Sequence, residues 1–156
     1  MVIPIKFYET RIIEKADIKI LFAKGDHGCN GHAFDGVPGG VFAHGFPDGR
    51  LHFDGDENWR VYDTSETLVL EQTDLLWVAV HEIGHVLGLN HSHIVDSLMD
   101  PLYSSPEKRS ITGYYSFPKI TKDDIKTIQN IYGRKVAKAA KNGLKPPKEC
   151  IEFCFI

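Results

Sequence analysis

Three histidines, a glutamate and a glycine between residues 81 and 91 follow the spacing H-E-x-x-H-x-x-G-x-x-H. His81 and His85 are four residues apart, so on a helix they project from one face, as two ligands of one metal ion must. Gly88 can adopt the left-handed conformation that ends a helix and lets the chain return His91 to the same ion. Three neutral imidazoles leave a zinc ion one open position, with Glu82 beside it. The motif therefore predicts a catalytic zinc centre.

The composition is typical of one globular domain. The chain has 156 residues, of which 42% are hydrophobic, and this is enough to bury a core. A net charge of -3 is mild, so a nucleic-acid or membrane surface is not indicated. No apolar run approaches the length of a membrane span, and no secretion signal is visible at the N-terminus.

Three cysteines are too few for a disulfide scaffold, and their odd number leaves one without a partner inside the chain. Cys29 lies in a loop, whereas Cys150 and Cys154 lie near the C-terminus. A disulfide between the last two, links to another domain and free thiols all remain open.

Short apolar stretches in the first third of the chain predict strands. The opening segment contains proline and is predicted to be extended, and the next is rich in β-branched residues. Two further strands are joined by a Pro-Asp-Gly turn, and a long loop rich in glycine, aspartate and histidine precedes them. The predicted segments are Val2–Phe7, Ala16–Ala23, the loop Lys24–Gly40, Val41–Phe46 and Arg50–Phe53.

Two helices are predicted in the rest of the chain. Thr73 is a suitable N-cap for the helix that carries His81 and His85, with Asp74 favourable near the positive end of the helix dipole. A last helix runs from about Thr121 to Tyr132, with Thr121 and Asp124 as its capping pair.

Met99, eight residues beyond His91, completes a set of motifs that resembles the catalytic domain of the matrixins, which belong to the metzincins. The likeness covers about residues 2–133. It implies an α+β domain, a twisted mixed sheet with an active-site helix and a C-terminal helix, in which the family's first strand and first helix lack counterparts. Residues 1–133 would form this N-terminally incomplete domain, and residues 134–156 a basic, poorly ordered tail. The other matching motifs are Gly25-Asp26-His27-Gly28, Phe34-Asp35-Gly36, Ala43-His44, the run from His52 to Trp59, and the segment from Asp123 to Gly133.

The resemblance implies that His81, His85 and His91 bind catalytic zinc. It also implies a structural zinc site, with Cys29 at a position that the family fills with aspartate. Thiolate is a good zinc ligand, but an extra loop residue leaves His32 as a competing candidate. The implied ligands of the structural zinc are His27, Cys29, His44 and His52.

For calcium, the resemblance implies a cage of oxygen atoms, which suits a hard cation. Carboxylates of Asp35, Asp54 and Glu57 would be joined by loop carbonyls near Gly36 and Gly39. A second calcium site is not expected, because the corresponding loop is short. Asp17 remains open between a ligand of that site and an exposed acid.

Further roles follow from matching positions. Ala43 would lie on the edge strand to which a peptide substrate adds, and Pro101 and Tyr103 on the wall of the pocket after the scissile bond. Met99 would form a floor under the three imidazoles. Asp124 would hydrogen-bond the backbone around Met99, beside its capping role.

The implied activity is that of a zinc-dependent endopeptidase of extracellular proteins, in which Glu82 is the general base for a zinc-activated water. Peptides or proteins would be its substrates, and tissue-inhibitor-type proteins its regulators. Secretion is implied by the family alone. The alternative is a catalytically silent metzincin-like module that keeps zinc and binds peptides or inhibitors.

Overall fold

A computed structural model describes residues 2–29, 31–68, 71–106, 110–134 and 150–156. Within these ranges, no helix combines the length and the apolar character needed to cross a bilayer. The main element is a mixed sheet of five strands, with one helix packed on it and a second helix following. This arrangement confirms the predicted α+β class.

The main sheet has five strands, which are β1 (Lys6–Glu9), β2 (Ile18–Ala23), β3 (Ala43–Gly45), β4 (Arg50–Asp54) and β7 (Cys150–Phe155). A separate pair consists of β5 (Trp59–Arg60) and β6 (Thr73–Asp74). The five strands of the main sheet lie in the order β1-β7-β2-β4-β3. In this sheet the β3–β4 pair is antiparallel, and the other pairs are parallel. A 3-10 turn, Ile13–Lys15, lies in the connection from β1 to β2.

Side chains that alternate along β2 and β4 build the core under the first helix, α1 (Leu75–Val86). Ile18 and Ile20 of β2 are buried, whereas Lys19 between them is partly exposed. They join Leu51 and Phe53 of β4 and the buried face of α1 in one apolar cluster. The alternating apolar side chains of the two strands therefore pack against α1 on one face of the sheet.

The predicted hairpin is confirmed, with a shorter first strand than expected. The amide of Phe46 donates to the carbonyl of Arg50 at 2.8 Å, and Gly49 donates to Phe46 at 3.0 Å. His44 lies opposite His52 in the antiparallel register. The turn therefore places these two histidines side by side.

The N-cap of α1 is Asp74, so the prediction of Thr73 was wrong by one residue. The Asp74 carboxylate accepts from the amides of Leu76 at 3.1 Å and Trp77 at 3.2 Å. The Thr73 hydroxyl instead donates to Glu57 at 3.3 Å. The Thr73 hydroxyl therefore bonds a residue distant in the chain, whereas the sequence pattern had predicted a bond to the start of the helix.

The second helix, α2 (Lys122–Tyr132), begins at the predicted capping box. Thr121 accepts from the amide of Asp124 at 3.2 Å, and the Asp124 carboxylate accepts from the amide of Thr121 at 2.9 Å. The hydroxyl of Tyr132 donates to the carbonyl of Leu87 at 3.0 Å, just beyond the end of α1. This bond docks α2 against the segment that leads to His91.

The end of the chain differs from the expectation of a poorly ordered tail. Cys150–Phe155 form β7, which lies inside the sheet between β1 and β2. Residues 135–149 of the expected tail lie outside the described residues. Cys150 and Cys154 are free, and at about 3.3 Å per strand residue they lie too far apart for a disulfide.

Candidate metal centre and cleft

The three histidines of the motif converge at the end of α1. The Nε2 atom of His85 lies 3.1 Å from Nε2 of His81 and 3.1 Å from Nε2 of His91. Their candidate ligand atoms all lie within 4.8 Å of one another. Three imidazole nitrogens pointing at one position are the ligand set that zinc prefers when one position stays open.

The second nitrogen of two of these rings is anchored to backbone carbonyls. Nδ1 of His81 donates to the carbonyl of Leu98 at 2.6 Å, and Nδ1 of His85 donates to Leu89 at 2.9 Å. A carbonyl can only accept, so the proton lies on Nδ1 and the Nε2 lone pair is free for a metal. Burial also lowers the pKa of His81 to about 4, which keeps the ring neutral near pH 7.

Gly88 makes the turn that brings His91 into the group. Its φ is +88°, in the left-handed region that favours glycine. The amide of Gly88 donates to His85 at 2.9 Å, and the next amide, of Leu89, donates to Gly84 at 2.9 Å. The structure thus bears out the turn that the sequence predicted at this position.

Met99 lies against α1, close to the turn that carries the histidines. It is buried, and a Cβ at Gly84 would collide with its sulfur atom. The amide of Ser92 donates to the carbonyl of Met99 at 2.8 Å, which ties the segment after His91 to this methionine. Gly84 therefore permits the close approach of Met99 to the helix.

Asp124 combines both of the roles considered for it. Its carboxylate caps α2 and also accepts from the Ser97 hydroxyl at 2.5 Å and the Leu98 amide at 3.1 Å. Burial raises the pKa of this carboxyl group, but the hydrogen bonds from Ser97, Thr121 and Leu98 outweigh burial and hold the pKa below its ordinary value. Asp124 therefore links α2 to Leu98, whose carbonyl orients the His81 ring.

Glu82 lies beside the histidine group, in a cleft of about 470 Å³. The residue is buried, and burial raises the pKa of its carboxyl group to about 7, although a hydrogen bond with the Gly45 backbone opposes the shift. A Cβ at Gly45 would collide with the Glu82 carbonyl, so glycine permits β3 to approach α1. A carboxyl group with this pKa can take up and release a proton near neutral pH.

The cleft runs between β3 and the segment after Met99. Ala43 lies on β3, which pairs only with β4 among the described strands, so its other edge lies along the cleft. Pro101 and Tyr103 line the opposite wall. The structure thus brings together all three residues for which a substrate role was predicted.

Trp77 is a cleft residue that the sequence reasoning missed. Its ring stacks on His81 at 5.7 Å between centroids and meets Tyr103 edge-on at 5.2 Å. It lines the cleft and also a neighbouring cavity of about 610 Å³. Its position four residues before His81, on the same helix face, was the signal that could have found it.

A second group of candidate metal ligands consists of His27, Cys29, His44 and His52, all within 4.8 Å of one another. Nε2 of His27 lies 2.9 Å from Nε2 of His44, and the Cys29 sulfur lies 3.1 Å from Nδ1 of His52. Burial lowers the pKa of His44 to about 4, so its ring is neutral. One thiol and three imidazoles supply the four ligands that a structural zinc needs.

His32, the competing candidate, is not part of this group. It is exposed, its ring centroid lies 6.0 Å from that of His44, and it lines the cleft instead. The geometry therefore favours Cys29 over His32 as the fourth ligand.

The acids predicted for calcium lie near one another but do not form a compact ligand group within the described ranges. Asp54 is fully buried, and its Oδ2 has no hydrogen-bond partner. Burial raises the pKa of Glu57, and the charges of Asp54 and Asp35 raise it further. The Gly39 amide donates to Glu57 at 2.5 Å.

Asp17 is explained without a metal ion. Its carboxylate accepts from the Glu152 amide of β7 at 3.0 Å, so the acid helps to hold β7 beside β2.

Residues 1–133 match the family model of the matrixins, and this range includes both the histidine motif and Met99. The chain belongs to the matrixin family. This matrixin is 44% identical to "Matrix metalloproteinase-C" of Caenorhabditis elegans over 85% of the chain, and 46% identical to "Metalloendoproteinase 4-MMP" of Arabidopsis thaliana over 85%. It is 42% identical to "Stromelysin-3" of Mus musculus over 77%. The chain spans 22%, 36% and 22% of the lengths of these relatives.

Proposed function

We propose that this matrixin is a zinc-dependent endopeptidase. The observation that carries the proposal is the convergence of three imidazoles beside a buried glutamate, in a cleft that a strand edge lines. The names of the worm and plant relatives, a metalloproteinase and a metalloendoproteinase, support this activity.

His81, His85 and His91 would hold the catalytic zinc through their Nε2 atoms. Zinc bound there would acidify a water molecule and polarise the carbonyl of the scissile peptide. Glu82 would accept the proton of that water and deliver it to the leaving amine, a task that its pKa of about 7 suits.

The edge of β3 would bind the substrate as an added strand. Main-chain hydrogen bonds with residues around Ala43 would hold an extended peptide while depending little on its sequence. The side chain after the scissile bond would meet the wall formed by Pro101, Tyr103 and Trp77. This geometry favours cleavage within a chain over removal of a terminal residue.

The second histidine group would hold a structural zinc through His27, Cys29, His44 and His52. For calcium, support comes from the fully buried Oδ2 of Asp54, which has no hydrogen-bond partner, and from Glu57, whose pKa is raised by burial. Asp35 and loop carbonyls near Gly36 and Gly39 would complete that site.

Proteins outside the cell would be the substrates, and tissue-inhibitor-type proteins would be regulators of a secreted enzyme. Support comes from the word "Matrix" in the name of the worm relative. A calcium site would suit extracellular concentrations of that ion.

The second candidate function is a silent module that binds zinc and peptides without hydrolysis. The retained Glu82, buried beside the three histidines, favours the enzyme over this module.

The decisive experiment uses the zinc-loaded chain and a quenched fluorescent peptide. We expect internal cleavage that a chelator abolishes and added zinc restores. Glu82→Gln should lower kcat by about 10²-fold or more while zinc content is retained, because only the base is removed. Glu14→Gln, the same change at an exposed residue far from the histidine group, serves as the matched control, with a kcat close to that of the parent. Peptide binding without turnover in the parent would favour the silent module.

A further inference from the structure

Among the described residues, β1 is joined to the sheet through β7 alone. β1 pairs with β7 over Lys6–Glu9, and β2 pairs with β7 and β4. Adjacent strands lie about 4.8 Å apart, so β1 and β2 lie about 10 Å apart on the two sides of β7. That distance is too large for backbone hydrogen bonds between them. The sheet therefore contains a slot one strand wide, which Cys150–Phe155 fill.

Both walls of the slot bond to the inserted strand. On the β1 side, the Thr10 amide donates to the Phe153 carbonyl at 2.8 Å. On the β2 side, the Asp17 amide donates to the Glu152 carbonyl at 2.8 Å and the Ile156 amide donates to Ile20 at 2.9 Å. The Asp17 carboxylate in turn accepts from Glu152 at 3.0 Å. These bonds satisfy backbone groups that would otherwise lie unpaired on two facing strand edges.

The side chains of β7 reach both apolar clusters that support the metal-binding helix. Ile151 and Phe153 pack against the cluster containing Trp77 and Val78 of α1. Ile151 also packs against the second cluster, which contains Met99. On the opposite face of the strand, Cys154 is buried. The strand thus contributes to the packing beneath the residues that position the histidines.

We propose that the slot between β1 and β2 is a strand-binding surface for this chain's own C-terminal segment, Cys150–Ile156, and that docking of the segment stabilises the metal-binding helix. The matrixin match ends at residue 133, so the strand comes from outside the part that the family match covers. An extended, mainly apolar segment whose backbone amide bonds the Asp17 carboxylate is the partner that the slot selects. This inference concerns folding and metal affinity, so it stands or falls independently of peptide hydrolysis.

A cross-link in the full chain tests the placement. Lys6 and Cys150 are register partners, and both are exposed, so Lys6→Cys places two thiols on adjacent strands within disulfide reach. Mild oxidation should give an intramolecular disulfide between position 6 and Cys150, found by peptide mapping, and should raise Tm by about 5 °C or more. Lys24→Cys is the control, because position 24 lies about 30 Å further along the strand direction.

Absence of the cross-link would overturn the proposal. A disulfide found exclusively between two chains would also overturn it, since the strand would then belong to a second copy.

A second measurement tests the effect on the helix. Ile151→Ala removes packing against both clusters, whereas Cys150→Asp changes an exposed position of the same strand. We expect Ile151→Ala to lower Tm by about 5 °C or more and to weaken zinc binding, measured by competition with a chelating dye, by several-fold or more. Cys150→Asp should stay close to the parent in both. Unchanged Tm and zinc affinity in Ile151→Ala would refute the stabilising role of the strand.

Discussion

The carbonyl oxygen of Leu98 lies 2.6 Å from Nδ1 of His81. The amide of the same leucine donates to Asp124 at 3.1 Å, at the start of α2. One residue therefore orients a metal-binding ring on one side and is held by a buried carboxylate on the other. Such outer contacts fix the tautomer and direction of a histidine ligand.

Replacing Asp124 should destabilise the fold and weaken the metal centre together. Asp124→Ala leaves the Leu98 amide and the Ser97 hydroxyl without their acceptor and removes a helix cap, so we expect a loss of about 3 kcal/mol. Zinc affinity, measured with a competing dye, should fall because Leu98 is no longer held. Asp123→Ala, in the same first turn of α2, is the matched control and should change both quantities little.

The same carboxylate predicts an acid-sensitive step in stability. Because its pKa is lower in the folded than in the unfolded chain, its contribution is present above the unfolded value and is lost as pH falls through the folded value. The stability gap between the parent and Asp124→Asn should therefore shrink below about pH 4. Denaturant unfolding between pH 7 and pH 2 measures it, and a gap independent of pH would contradict the assignment.

Gly88 and Gly133 form a matched pair for the turn after α1. Both have positive φ, +88° and +77°, and both lie just beyond a helix. Alanine at either position should cost about 1 kcal/mol in backbone strain. Gly88→Ala alone should also weaken zinc binding, because it displaces His91. Equal zinc affinity in the two variants would show that the turn does not position this ligand.

Cys29 rather than His32 should be the fourth ligand of the second zinc ion. The parent should bind two zinc ions per chain, one for each ligand group. Cys29→Ala should reduce this to one, and His32→Ala should leave two, as measured by metal analysis after dialysis. Cobalt in the parent should give a thiolate-to-metal absorption band that disappears in Cys29→Ala. The reverse pattern would assign the site to His32.

Calcium should stabilise the chain through Asp54. Calcium held by the proposed acids would favour the folded form, so Tm should rise with calcium concentration in the zinc-loaded parent. Asp54→Asn should abolish most of this rise, since it removes a charge from the fully buried ligand. Asp56→Asn, two residues away on a partly exposed loop, should retain it. Equal responses of the two variants would remove Asp54 from the site.

Trp77 should limit the size of the pocket for the side chain after the scissile bond. With Asp100 and Tyr103, it lines both the cleft and the neighbouring cavity of about 610 Å³. Trp77→Ala should raise kcat/KM for peptides with a long apolar residue relative to alanine there, by about 10-fold. Trp77→Phe, which keeps a ring against His81, should change this preference less. An unchanged ratio of the two kcat/KM values would show that the Trp77 indole does not form the wall of this pocket.

The sequence by itself determined the features that depend on near neighbours in the chain. The spacing of His81, Glu82 and His85 fixed their common face because a helix repeats every 3.6 residues. Gly88 was predictable as the turn, since a left-handed residue after a helix strongly favours glycine. The capping box of Thr121 and Asp124 was predictable for the same local reason.

The tertiary structure decided the features that depend on contacts between distant residues. Asp74 rather than Thr73 caps α1, because the tertiary structure begins the helix at Leu75 and directs the Thr73 hydroxyl to Glu57. The sequence implied Cys29 as the fourth ligand and left His32 as a competitor three residues away, and the fold alone brings the cysteine to His52.

The strand at residues 150–155 is the largest such difference. Its short apolar pattern becomes a strand only because β1 and β2 offer two edges for it to pair with. Its partners lie far away in the chain: Asp17 and Glu152, which are hydrogen-bonded, are more than 130 residues apart. Strand pairing over such a separation is set by the geometry of the folded sheet, and local sequence carries little information about it.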